Sequence, residues 1–158
     1  MIPARVITCS DAASRGERVD RSGRAVRELL EANGFAVDRI VIVPDDVDRI
    51  AAVIADAANE VRLVVTTGGT GVARRDVTPE ATMRVCERVV PGFGELMRAK
   101  SLEKTPMASL SRAQAATRGA ALIINLPGSP KGAVENLGFV LHLIPHALQL
   151  LAGDTEHQ

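Results

Sequence analysis

The sequence predicts an α/β fold, a three-layer αβα arrangement with a mostly parallel central sheet. Short runs rich in β-branched residues alternate with amphipathic runs at helical spacing. Two of the β-like runs, 62–66 and 120–126, are almost wholly apolar. That is the composition of strands covered on both faces, which parallel sheets require. A chain of 158 residues with 46% apolar content suits one compact core, so residues 1–158 are expected to form a single domain.

Each element has its own signal. Residues 5–9 read as a first strand, followed by a polar loop over 10–22. Val26, Leu29 and Leu30 then recur at helical spacing, and Gly34 sits where that helix should stop. Residues 36–43 read as a second strand. Asp46 is placed as an N-cap before an apolar stripe of Val47, Ile50, Ala51, Ile54, Ala57 and Ala58. After the strand at 62–66, Thr78, Pro79 and Glu80 suggest a helix with N-cap, proline in its first turn and an early acid. Helical runs follow at 91–104 and from Thr105 and Pro106. The strand at 120–126 leads through Ser129 and Pro130 into a last helix. That helix carries Leu137, Leu141, Ile144, Leu148 and Leu151, with a kink expected at Pro145. The tail from about residue 153 is polar and expected to fray.

Composition excludes several function classes. Lys plus Arg equals Asp plus Glu, 19 each, so no global field draws in nucleic acid or an anionic membrane. Three Phe with no Trp or Tyr leave little for stacking bases. No apolar run reaches the ~20 residues of a bilayer span, and no signal-peptide pattern opens the chain. A cytoplasmic protein is expected. Cys9 and Cys86 read as reduced, buried thiols. His142 and His146 are four apart, but no third ligand lies near them.

Ligands of an open α/β sheet bind beyond the carboxyl ends of its strands. Four loops are expected there: 10–23, 44–46, 67–78 and 126–130. The sharpest is Thr66-Thr67-Gly68-Gly69-Thr70-Gly71, three glycines in four positions directly after a buried strand. Glycine lets backbone N–H groups approach a ligand, and threonine hydroxyls add donors, which makes a concave anion site. The Gly-Lys-Ser/Thr ending of a Walker loop is absent. A tight surface turn also fits. Arg74 and Arg75 beside the loop suit phosphates, and Asp76 suits Mg²⁺ on a phosphate. An ion pair between Asp76 and either arginine also fits. Asp45 ends a strand at the ligand edge; it could share a metal with Asp76 or be a solvated turn acid. Ser10, Asp11, Asp20, Ser22 and Ser129 are explained by capping alone.

The pattern Thr-Thr-Gly-Gly-Thr-Gly-x-x-x-Arg-Asp-x-Thr-Pro-Glu-Ala at 66–81 resembles the hallmark of the molybdopterin adenylyltransferase family, MogA/MoaB type. Further stretches agree in order. They are Ser10-Asp11 with residues 15–17 and 20–23, Pro44-Asp45-Asp46, 91–95, the run TPMASLSR at 105–112, and 126–130. Six motifs in order, over roughly 4–152, make the resemblance specific. It implies transfer of AMP from Mg-ATP to the terminal phosphate of molybdopterin, with pyrophosphate released. It also implies a homotrimer and hand-over of the product to a molybdenum-insertion enzyme.

The family's two functional acids fall on Asp45 and Asp76, which are expected to be catalytic and to hold Mg²⁺. Gly68, Gly69, Thr70 and Gly71 are expected to donate to phosphate oxygens, with Thr67 beside them, and Arg75 to offset charge. Ser10, Asp11, Ser111 and Ser129 are candidates for further substrate contacts. A molybdopterin-binding or scaffolding protein of the same fold, without adenylylation, is the alternative.

Overall fold

The computed structural model describes residues 1–154; the end of the expected frayed tail, 155–158, lies outside them. Six strands form one sheet in the order β2-β1-β3-β6-β5-β4. The strands are β1 (Ile2–Cys9), β2 (Phe35–Val43), β3 (Leu63–Thr67), β4 (Arg88–Val89), β5 (Ala115–Arg118) and β6 (Ala121–Leu126). β2, β1, β3 and β6 run parallel, while β5 is antiparallel to both β6 and β4. The helices are α1 (Asp11–Ser14), α2 (Arg21–Glu31), α3 (Val47–Glu60), α4 (Thr78–Val85), α5 (Pro91–Leu102), α6 (Pro130–Val140) and α7 (Ile144–Leu151).

Three layers follow from the alternation of side chains along the buried strands. Ala4 and Val6, Leu63 and Val65, and Leu122, Ile124 and Leu126 face one core, closed by α2, α5, α6 and α7. Ile7 and Cys9, Val64, and Ile123 face the other, closed by α3 and α4 through Ile50, Ile54, Ala57 and Ala81. Gly34 leaves α2 with φ +89°, a left-handed conformation that glycine adopts without Cβ strain. Asp46 caps α3 as expected, accepting from the Arg49 N–H at 2.9 Å. Asp20 caps α2 through the Gly23 N–H at 2.9 Å.

Four expectations are corrected. Thr78 is not the N-cap of α4. Val77 holds that position, where its apolar side chain cannot bond, and the Thr78 hydroxyl donates to the Gly68 carbonyl. The C-terminal helix is two helices, α6 and α7, joined by a 3-10 turn over Leu141–Leu143, with Pro145 in the first turn of α7. A proline without N–H starts a helix more cheaply than it kinks one. The stripe survives the break, with Leu137, Ile144 and Leu148 all buried. Cys86 is only half-buried; Cys9 alone is a core thiol. Finally, β4 and β5 were not expected. With two and four residues, and alanines in β5, they carry no strand period.

Candidate active site

Connectivity places the ligand edge. From β1 the chain moves outward to β2 on one side, then returns to lay β3 on the other. The crevice between β1 and β3 is therefore a topological switch point, where flanking loops splay apart. A cleft of about 680 Å³ opens there. Its walls include Cys9 and Ser10 at the end of β1, Asp45 after β2, Thr67 to Gly69 at the end of β3, and Gly128 and Ser129 after β6. All four loops expected to converge do so. A second cleft of about 510 Å³ adjoins it along Gly69, Gly128 and Ser129, and takes in Thr70, Gly71, Asp76 and Ser111.

The glycine-rich loop is held from behind. Gly68 and Gly69 have φ of +91° and +71°. A Cβ on Gly68 would be driven into the Cys9 carbonyl, and one on Gly69 into the Thr78 hydroxyl. Thr78 grips both residues: its hydroxyl donates to the Gly68 carbonyl at 2.9 Å and its N–H to the Gly69 carbonyl at 3.1 Å. A buried chain continues behind it. The Thr82 hydroxyl donates to the Thr78 carbonyl, and the Asn125 amide donates to the hydroxyls of Thr82 and Thr66. Gly68 donates its own N–H to the Leu126 carbonyl at 3.0 Å, so its contribution is conformational rather than a donor. The N–H groups of Gly69, Thr70 and Gly71 donate to no other described group.

Asp45 and Asp11 clasp each other. The Asp11 N–H donates to Asp45 Oδ2 at 3.1 Å, and the Asp45 N–H donates to Asp11 Oδ1 at 3.0 Å. Arg75 then closes a fork on Asp11, with both bonds at 2.9 Å, and holds that carboxyl below the usual carboxylate range. Asp11 and Arg75, both expected at the substrate, thus satisfy one another across the site. Asp45 Oδ1 is buried with no partner. Burial pushes the Asp45 carboxyl above its ordinary range, and the neighbouring charges of Asp11 and Asp76 push it further, against the lowering effect of the Asp11 N–H. The two expected catalytic acids are therefore electrostatic neighbours, Asp45 on the first cleft and Asp76 on the second.

Asp76 forms no ion pair with Arg75. Its Oδ2 accepts from the Ala73 N–H at 3.0 Å. Ser10 and Ser129 cap α1 and α6 by accepting from Ala13 and Gly132, both at 3.1 Å. Ser111 accepts from Ala113 at 3.3 Å. Thr67 is fully buried and shares a hydrogen bond with Ser22. Burial pushes the Cys9 thiol up to about 12, so it stays protonated and offers no nucleophile. His142 and His146 are exposed, and among the described residues no group of three or more His, Cys, Asp or Glu is placed to hold a metal ion. No helix among them is long and apolar enough to cross a membrane.

Beyond Arg74 and Arg75, sequence reasoning missed the cations of the site. Arg18 and Arg21 line the first cleft, Arg98 and Lys104 the second. Arg112 holds the glycine-rich loop. These residues lie far in sequence from the loop, and only the fold brings them near.

This geometry has relatives. Residues 5–146 match the family model described as "Probable molybdopterin binding domain". The chain belongs to this family. A molybdopterin adenylyltransferase of Helicobacter pylori strain J99 is 45% identical over 155 residues, which span 94% of this chain and 87% of that protein. The Escherichia coli K12 protein of the same name is 41% identical over an alignment of 165 positions, which covers 94% of this chain and 84% of that one. The crystal structure of the molybdopterin biosynthesis enzyme MoaB from Thermus thermophilus matches with a TM-score of 0.91 at 49% identity. That match covers 97% of this chain and 98% of the other. This chain therefore shares its three-layer frame with that enzyme.

Proposed function

We propose that the protein is a molybdopterin adenylyltransferase. An oxygen of the terminal phosphate of molybdopterin attacks the α-phosphorus of ATP. The bond to the β-phosphate breaks, pyrophosphate leaves, and adenylyl-molybdopterin forms. One observation carries this reading: Gly69, Thr70 and Gly71 offer three consecutive N–H donors without partners, with Gly69 beside Asp45 and Gly71 beside Asp76. The names of the H. pylori and E. coli relatives support it.

The attacking phosphate is already anionic, so the chain has little proton transfer to perform. Catalysis is positioning and charge stabilisation. The loop N–H groups bind triphosphate oxygens. Arg18 and Arg21, on the wall of the first cleft, offset substrate charge. Asp11 and Arg75 fix Asp45 rather than touch phosphate. Asp45 Oδ1, a buried carboxylate oxygen with no protein partner, fits a cation ligand, and Asp76 supplies a second. Two carboxylates completed by phosphate oxygens suit Mg²⁺, which would neutralise triphosphate charge when bound there. The family resemblance carries the remaining parts of the reading: a cytoplasmic homotrimer whose product passes to a molybdenum-insertion enzyme.

The test measures AMP transfer by mass and by pyrophosphate release. Asp45→Asn and Asp76→Asn are each expected to lose roughly 10²- to 10³-fold in turnover while still folding. Near-normal turnover in both removes their roles. Wild-type protein that binds molybdopterin but releases no pyrophosphate with Mg-ATP is a binder, and the reading fails.

A further inference from the structure

Arg112 lines neither cleft, yet it is bonded to both ends of the segment that carries Asp76. Its Nε donates to the Gly71 carbonyl at 2.7 Å and its Nη2 to the Asp76 carbonyl at 2.7 Å. Its Nη1 donates to Glu80 Oε2 at 2.5 Å. Its backbone N–H donates to the Thr70 carbonyl at 2.8 Å. Between Gly71 and Asp76 the other backbone bonds are local, the Asp76 N–H to the Ala73 carbonyl and the Ala73 N–H to the Asp76 carboxylate, and one side chain reaches out, Arg75 to Asp11. Without Arg112 this turn would be closed on itself but not fixed to the frame at those two carbonyls.

The peptide group explains why this matters for the ligand side. In a planar trans peptide, the carbonyl of one residue and the N–H of the next point in opposite directions. Thr78 holds the carbonyls of Gly68 and Gly69, which turns the N–H groups of Gly69 and Thr70 the other way. Arg112 holds the carbonyls of Thr70 and Gly71, which does the same for the N–H groups of Gly71 and Val72. Four successive carbonyls are thus occupied behind the loop. The N–H ends of the same peptides at Gly69, Thr70 and Gly71 donate to no other described group.

We propose that Arg112 is a positioning residue for AMP transfer, which acts by fixing the Gly71 peptide and the turn that holds Asp76. This rests on the proposed adenylyltransferase reading. Arginine suits the task because three acceptors in different directions need a planar fork. A lysine ammonium is a compact point charge without that fork. A role confined to the Glu80 ion pair is the competing account, and Glu80→Gln separates the two because it spares both carbonyl bonds.

The experiment compares wild type, Arg112→Lys and Glu80→Gln in three measurements. They are steady-state kinetics, thermal unfolding, and amide hydrogen exchange over residues 69–77. Arg112→Lys is expected to lose roughly 10- to 100-fold in kcat with the KM for molybdopterin within about three-fold. Its amides over 71–76 exchange at least ~10-fold faster, with exchange in the sheet unchanged. Glu80→Gln stays within about two- to three-fold of wild type in kcat and loop exchange. Equal losses in Arg112→Lys and Glu80→Gln, or unchanged loop exchange in Arg112→Lys, overturn the proposal. If wild type transfers no AMP, the adenylyltransferase reading alone fails, and the exchange measurement still decides whether Arg112 holds the loop.

Discussion

Asp45 concentrates the conflict between folding and function in one side chain. Oδ2 is bonded to the Asp11 N–H, while Oδ1 is buried without a partner. Burial, with two acids nearby, raises its folded pKa above that of the unfolded chain. The folded state therefore holds the proton more tightly. That contribution to stability is complete at low pH and is lost as pH rises through the folded value. At neutral pH the ionised carboxylate works against folding, as residues kept for function often do. Asp45→Asn should accordingly melt at the wild-type temperature or up to ~3 °C higher at pH 7, while turnover collapses. A clear fall in Tm would mean that the carboxylate stabilises the fold. The acid limb of the wild-type rate profile should also lie above the ordinary carboxylate range, since the ionised form does the work.

Thr78 illustrates what a single element contributes. Sequence reasoning places it as the cap of α4, from the Thr-Pro-Glu signature. The helix does start there, with proline in its first turn. The hydroxyl, however, serves Gly68; α4 goes without a side-chain cap and the glycine-rich loop gains an anchor. Thr78 is fully buried, so Thr78→Val would leave the Gly68 carbonyl without that donor. We expect a loss of about 1–3 kcal/mol, or a Tm drop of roughly 2–10 °C. AMP transfer should fall with it, and Thr78→Ser should restore both. Thr78→Val with wild-type stability and activity would show that the loop holds its shape unaided. Glycines 68, 69 and 71 were legible as a candidate anion loop because nothing in strand packing calls for them. The anchors of that loop were not, because a threonine beside a proline reads as a cap and Arg112 lies 41 positions from Gly71.

At the scale of the whole molecule the sheet has two ends with different duties. The carboxyl end carries the clefts. Below it, on β1, the guanidinium of Arg5 is buried and bonded to Asp38 at 2.5 Å and to Glu60 at 2.5 Å, which ties β1 to β2 and to the end of α3. Arg5 holds both carboxyls below their usual ranges. For depressed acids the stabilisation is present above the unfolded pKa and is lost as pH falls through the folded values. Arg5→Met removes that linkage. Its Tm should therefore change less than that of wild type on acidification from about pH 5 to about pH 3. An equally steep fall in Tm would assign acid sensitivity to other groups. Arg5 also shows a gap in sequence reading: a charge at the centre of a strand gives no sign of which acids will reach it.

The sequence by itself determined the layers, the four parallel strands and the four loops that meet at their ends. Those features follow from local periodicity and from glycine, proline and capping chemistry, which act over a few residues. Tertiary structure decided which side chains answer one another across the site. It joined Arg75 to Asp11, Arg112 to the loop and Thr78 to Gly68, and it left one Asp45 oxygen without a partner. Hydrogen bonding across sequence separations of 10 to 64 depends on where the sheet order brings each strand end, and no local pattern encodes that order.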